Sequence, residues 1–263
     1  QVGGSAYRTG LEPGKYLSAT TFEYPDLPKN RIYRVRPDFA TARLASEVSD
    51  EGFSEEAIRA QYQKDWNEWP VADGAPFTDN NHNGTYEPDS GDIPGVSGSD
   101  QTVWFVCNDH SLTKTVDLYG STPMGIELQV TIWAYAQQGA LGNMFFKKYT
   151  MINKGTKRID SMYVSQWSDI DLGNSTDDFS GCDTTLSLGY TYNANATDAT
   201  YGALPPPAVG FDFFQGPLVP SVGSTGRSGG RVIPDKKNLP MTAFYYFARG
   251  DAAVTDPVQG SYS

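Results

Sequence analysis

The sequence has 263 residues, a net charge of −11 and a pI near 4.6, and no basic patch offsets phosphate charge, which argues against nucleic acid as a partner. Its 27 glycines, 17 prolines and 13% aromatics, with only 19% charged residues, suit short strands joined by many turns and argue against a helical bundle or a disordered acidic tail. No apolar run approaches the ~18 residues of a membrane span, and 22 of the 31 acids are Asp, the acid of turns, caps and hard-cation sites.

In chain order, residues 1–30 are turn-rich and weakly periodic and read as an extended arm lying on the domain. The stretch SEEAIRAQYQKDWNEW opens on Ser54 as N-cap, places Glu55 and Glu56 in the first turn and spaces Ile58, Tyr62, Trp66 and Trp69 along one face. It is the one helix expected, stopped by Pro70. After a polar loop over 73–100, strands are expected at 101–109 and at 125–136, the latter alternating Ile126, Leu128, Val130 and Ile132. Residues 143–153 and 159–170, joined by the turn KGTKR, read as a β-hairpin. Further strands are expected at 184–193, 208–216 and 241–250, with GSTGRSGG (223–230) as a flexible loop or linker.

The stretch DNNHNGTYEPDSGD carries the clearest chemistry. Asp79, Asn81 and Asn83 occupy positions 1, 3 and 5, Gly84 position 6, Thr85 position 7 and Glu87 position 9. This is the front half of an EF-hand-type loop, in which alternating side-chain oxygens converge and glycine permits the sharp turn. Position 12 is Ser90 rather than the bidentate Glu, with Asp89 and Asp92 on either side. The expectation is a calcium loop without flanking helices, closed by Asp89 or Asp92. Its affinity is expected near 10⁻⁴–10⁻³ M, as in extracellular modules, because Asn at 3 and 5 lowers the ligand charge.

A second acidic group gathers Asp169, Asp171, Asp177, Asp178 and Asp183. Five carboxylates so close repel one another unless a cation or hydrogen bonds offset them, so a second divalent-cation site is expected; the rival is a catalytic carboxylate pair of the glycosidase kind. Cys107 and Cys182 are compatible with one disulfide in an oxidising compartment or with two buried thiols. His82 and His110 are the only histidines, which leaves a His-based zinc or haem site without support, and no GxSxG, GxGxxG or Walker loop occurs. Starting at Gln1 without an initiator Met, the chain reads as mature after signal-peptide removal, and its last residues show no obvious stop.

The blocks KNRIYRVRPDF, YQKDWNEWPVADGAPF, GDIPGVSGSDQTVWFVCND, YGSTPMGIELQVTIWAYA, NMFFKKYTMINKG and MYVSQWSDIDLGNSTDDFSGCDTTLSLGYTYN together resemble large secreted proteins of Bacteroidota and Ignavibacteria-type bacteria. Those proteins typically end in a type IX secretion sorting domain, which this sequence does not contain. The resemblance runs from about residue 29 to 217; it implies export, cell-surface attachment or release, and a β-rich region, and it brings no enzymatic activity with it.

The expected protein is mainly β, an antiparallel β-sandwich with one short helix and long metal-pinned loops. Residues 1–53 form the arm, 54–100 the helix and calcium-type loop, and 101–263 the sandwich. It is expected to be secreted or on the cell surface, stabilised by Ca²⁺ at one or two sites. The expected role is structural or adhesive, toward extracellular matrix, glycan or copies of itself. Its alternatives are a carbohydrate-binding module or part of a secreted glycoside hydrolase, and a subunit of an extracellular filament or sheath.

Overall fold

A computed structural model of the protein describes residues 10–119 and 122–247. The chain is mainly β, with antiparallel sheets, and divides into two compact units between Asp160 and Ser161. Among the described residues, no helix is long and apolar enough to cross a membrane.

The first unit is built on β5 (Gln101–Asn108) and β6 (Ile126–Ala134), paired from Gln101↔Ala134 to Asn108↔Glu127. β7 (Phe145–Asn153) adds to the far side of β6. The free side of β5 is shared by two short strands: β1 (Glu12–Pro13) pairs with Cys107 and Asn108, and β2 (Tyr33–Val35) with Thr102 to Trp104. Directly opposed residues of an antiparallel pair share a face. Tyr33, Val35, Trp104 and Val106 therefore line one side of the sheet, and Trp69 and Ala75 close a core on it, with Trp66, Val71, Phe77 and Tyr86 packed around.

That cover is supplied by α1 (Ala45–Glu51), α2 (Glu55–Asn67) and a small ribbon of β3 (Phe77–Thr78) and β4 (Ile93–Pro94). Helix α2 begins where Ser54 Oγ accepts the Ala57 N–H at 3.2 Å. It buries Ile58 and Tyr62 in a second cluster with Ala42 and Leu44. Burying side chains such as Leu44 or Ile58 contributes about 1.5–3 kcal/mol each. Tyr62 also joins helix to sheet: its hydroxyl donates to Glu47 at 2.8 Å and accepts from Gln101 at 2.7 Å, while Arg34 stacks on its ring. Helix α3 (Leu112–Tyr119) follows β5.

The second unit holds a three-stranded sheet ordered β10-β9-β8, with β8 at Asp178–Asp183, β9 at Leu188–Asn193 and β10 at Ala208–Asp212. Beside it in sequence is a two-stranded ribbon of β11 (Leu218–Ser228) and β12 (Arg231–Asn238).

Several expectations are corrected. Residues 143–170 do not form a hairpin: β7 pairs with β6, and 159–170 adopt no regular secondary structure, the chain turning at Ser161 with φ +54°. GSTGRSGG is no flexible loop but the end of β11 and a tight turn, with Ser228 facing Arg231 across Gly229 and Gly230 at φ +55° and +77°. That pair of positive φ values makes a type I′ turn, which glycine adopts without strain. α1 and α3 join the single helix expected, and α2 stops at Asn67, before Pro70. The strand over 184–193 starts at Leu188, and 241–247 form no strand, while 248–250 lie outside the described residues, as do 1–9 of the arm.

Of the two readings open to the cysteines, the structure has separate thiols: Cys107, on β5, and Cys182, on β8, are both free. Burial, with the nearby Glu127 charge, pushes the Cys107 thiol up to about 12, so it stays protonated and inert at neutral pH. Thiol-specific alkylation of the native protein is expected to modify Cys182, which is part-exposed, and to reach Cys107 only on unfolding. Equal labelling of both in mass spectra would contradict this packing.

A candidate calcium loop and a buried polar network

The stretch 79–92 folds on itself between β3 and β4. Asp79 accepts the N–H groups of Asn83 at 3.2 Å and Gly84 at 2.8 Å. Asn81 Oδ1 accepts Asn83 N–H at 3.1 Å, and Asn83 Oδ1 accepts Thr85 N–H at 2.7 Å. Gly84 stands at φ +78° with nothing near where a Cβ would be, so backbone conformation alone demands glycine there. Both Asn carboxamides donate to Glu87 Oε2, Asn81 at 3.1 Å and Asn83 at 2.5 Å. Asn83 thus touches Asp79 and Glu87 at once, bringing two carboxylates and two carboxamides to one place.

Asp92 does something else. It is 1% exposed, and its two oxygens accept the N–H groups of Asn80 at 3.0 Å and Glu87 at 2.9 Å. This carboxylate staples the two ends of the loop together. Asp89 stands exposed in a 3₁₀ turn, Pro88–Ser90, and Thr85 is exposed as well. Among the described residues, no three His, Cys, Asp or Glu side chains are gathered as a metal centre. A cation here depends on the Asn carboxamide oxygens and the loop carbonyls as well as on Asp79 and Glu87. That all-oxygen, low-charge set suits Ca²⁺ held weakly.

The second acidic group is spread out. Asp169 and Asp171 are exposed. Asp177 accepts the carboxamides of Asn193 at 3.2 Å and Asn195 at 2.6 Å. Asp183 accepts the N–H groups of Thr185 and Leu186, and the Thr185 side chain with those amides holds its carboxyl below the usual range. Asp178 Oδ2 takes the Leu172 N–H at 2.8 Å, while its Oδ1 is shut from solvent without a hydrogen-bond partner. Asp177, Asp178 and Asp183 therefore bond to different groups. Sequence reasoning also missed Asp198, 7% exposed, which closes the same region by accepting from Asn174 and Thr200 N–H.

A larger polar network lies on the first sheet. Asp109, fully buried, accepts the Tyr16 hydroxyl at 2.9 Å and the N–H groups of Met124 at 2.5 Å, Gly125 at 3.2 Å and Ile126 at 2.7 Å. Glu127, 1% exposed, accepts Tyr16 N–H at 2.9 Å and lies 3.5 Å from Lys154 Nζ. Asn108 donates to the Gly14 carbonyl, and Phe22 stacks on His110 with centroids 3.5 Å apart. Burial, then the Asp109 hydrogen bond, raises the Tyr16 phenol far above the ordinary tyrosine range. The contacts of Gly14, Tyr16 and Phe22 tie the arm to Asn108, Asp109, His110 and Glu127, so this network fastens the arm. A hollow of about 240 Å³ near the loop is lined by Val35, Thr78, Pro94, Ser99 and Thr102 among others. Its lining includes none of the clustered carboxylates.

Comparison of the chain with protein-family models, with characterised proteins and with solved structures returns no match.

Proposed function

We propose that this is a secreted, calcium-stabilised surface protein with a structural or adhesive role. The carrying observation is the 79–92 loop, where Asp79, Asn81, Asn83 and Glu87 are already drawn together and Asp92 pins the loop ends. Asp79 and Glu87 would supply charge and the two Asn carboxamide oxygens neutral ligands, with Ca²⁺ replacing the weaker amide contacts now made to Glu87. The ion would order a polar loop that lacks the apolar content to order itself. At the second acidic group, the partnerless Asp178 Oδ1 supports a further cation. The half-buried apolar side chains on the other face of the main sheet, Val103, Phe105, Leu128 and Ile132, support a sandwich in which a second layer covers them. A hydrolase reading has less behind it, since Asp177 and Asp183 are committed to closing turns.

The test is a thermal melt in calcium, in chelator, and in calcium restored. With Kd near 0.1–1 mM and about 10 mM Ca²⁺, binding to the folded state contributes about 1.4–2.7 kcal/mol, a reversible Tm rise of about 3–10 °C. Asp79→Ala is expected to abolish that response and Asp169→Asn to preserve it at the loop. A Tm indifferent to calcium and chelator would refute the loop as a metal site.

A further inference from the structure

Charge is segregated along this chain. Residues 159–226 contain eight Asp and not one Lys, Arg or His; the β11–β12 ribbon then carries Arg227, Arg231, Lys236 and Lys237 against Asp235 alone. Of 20 basic and 31 acidic residues the ribbon holds four and one, so the remaining 16 and 30 give the rest of the protein a net −14. By strand alternation Arg231 and Lys237 lie on one face of the ribbon and Arg227 and Lys236 on the other. Among the described residues, none of these four cations is in an ion pair.

Two-stranded ribbons are marginal in water on their own, and this one holds its form by bonds within itself and to its stem. Asp235 accepts Gly223 N–H at 2.8 Å, and Asn238 links to Gly216 and Arg227. Its edges are blunted against strand addition by Pro220, Pro234 and the lysines. Recognition through this element is therefore by side-chain charge.

We propose that the ribbon of one copy docks on residues 162–171 of a second copy. This deepens the surface-assembly reading and rests on it. The chemistry matches. Asp169 and Asp171 are exposed, and Tyr163 and Trp167 beside them are 87% and 52% exposed. Arginine pairs with carboxylates and stacks on such rings, and an acidic partner complements a basic arm. Ribbon and acceptor are different patches, so the contact is head-to-tail and propagates into a filament or closes into a ring.

Sedimentation velocity over about 1–500 µM protein, in about 0.05 M and 0.5 M NaCl, tests this. Association is expected at low salt and should weaken at high salt. Arg231→Glu/Lys237→Glu and Asp169→Lys/Asp171→Lys alter exposed side chains only, and each is expected to weaken association roughly tenfold or more. Mixed together, the two variants should associate again, because the reversed ribbon meets the reversed acceptor. A single-copy mass throughout the series overturns the proposal, as does association untouched by the reversals. Capture of dextran sulfate by a chain that stays single would assign the ribbon to a polyanion instead. A monomer whose Tm still answers to calcium loses the docking proposal alone; association without a calcium response loses the loop reading alone.

Discussion

Asp109→Ala is expected to lower the stability of the first unit by about 3–5 kcal/mol. The substitution leaves the N–H groups of part-buried Met124 and Gly125 and of buried Ile126, and the buried Tyr16 hydroxyl, without their acceptor. Each stranded buried donor costs about 1–3 kcal/mol, and partial rearrangement keeps the total below their sum. The arm should loosen first, so the 17–21 turn becomes a site of early proteolysis while β5 and β6 persist. Asp109→Asn keeps one acceptor oxygen and should fall between. Denaturant midpoints check the scale: a loss under about 1 kcal/mol would mean that Asp109 does not fasten the arm.

Alkaline pH is expected to have the second large effect. Burial raises the phenols of Tyr16, Tyr62 and Tyr86 far above their ordinary value of 10.0, assisted by the Asp109, Glu47 and Asp92 carboxylates in turn, and raises Tyr33 by a smaller margin. The folded state thus holds these protons more tightly than the unfolded chain. Their stabilising effect is complete below pH 10, where both states are protonated. It is lost as pH climbs from about 10 toward the folded values, because only the unfolded chain releases the protons. Each tenfold difference in proton affinity corresponds to about 1.4 kcal/mol, so by pH 11 two buried phenols such as Tyr16 and Tyr62 account for a loss of about 2–3 kcal/mol. Urea denaturation followed by circular dichroism at pH 8, 9.5 and 11 should show a plateau, then a fall. Tyr62→Phe, which removes one such phenol, should flatten the fall; an identical slope in that variant would exclude Tyr62 as a contributor.

Local signals were legible and long-range ones were not. Helix α2 follows from Ser54, two glutamates and a 3.6-residue apolar spacing, all within one stretch. β5 follows from its β-rich composition and β6 from its alternation. The 143–170 hairpin failed because a period of two says that a segment can be a strand and not which strand it joins: β7 took β6, and 159–170 form no strand. The ribbon hid behind its glycines, although Gly229-Gly230 is itself a hairpin-turn signal that the flexible-loop reading overrode. At the 79–92 loop the spacing points to Asp79, Asn81, Asn83 and Glu87, which the structure links by hydrogen bonds, whereas nothing in the spacing marks Asp92 as the acceptor of the Asn80 and Glu87 N–H groups. The Asp109 network left no local mark at all. Its partner Tyr16 is 93 residues away, and Tyr16 is 111 residues from Glu127, so NDH reads only as the polar end of a strand.

Those separations also set an order of events as the chain is made. Synthesis at about 5–20 residues per second puts something on the order of ten seconds between the appearance of Tyr16 and that of Glu127. For most of that interval, until β5 appears, the arm has nothing to dock on. β5, when it emerges, meets β2 and the arm before β6 exists, and Asp109 has no amides to hold until 124–126 follow. Closure of the arm is therefore the late step, gated by a strand that comes after it, and a chain interrupted before residue 127 exposes both the arm and the long edge of β5 to whatever first encounters them.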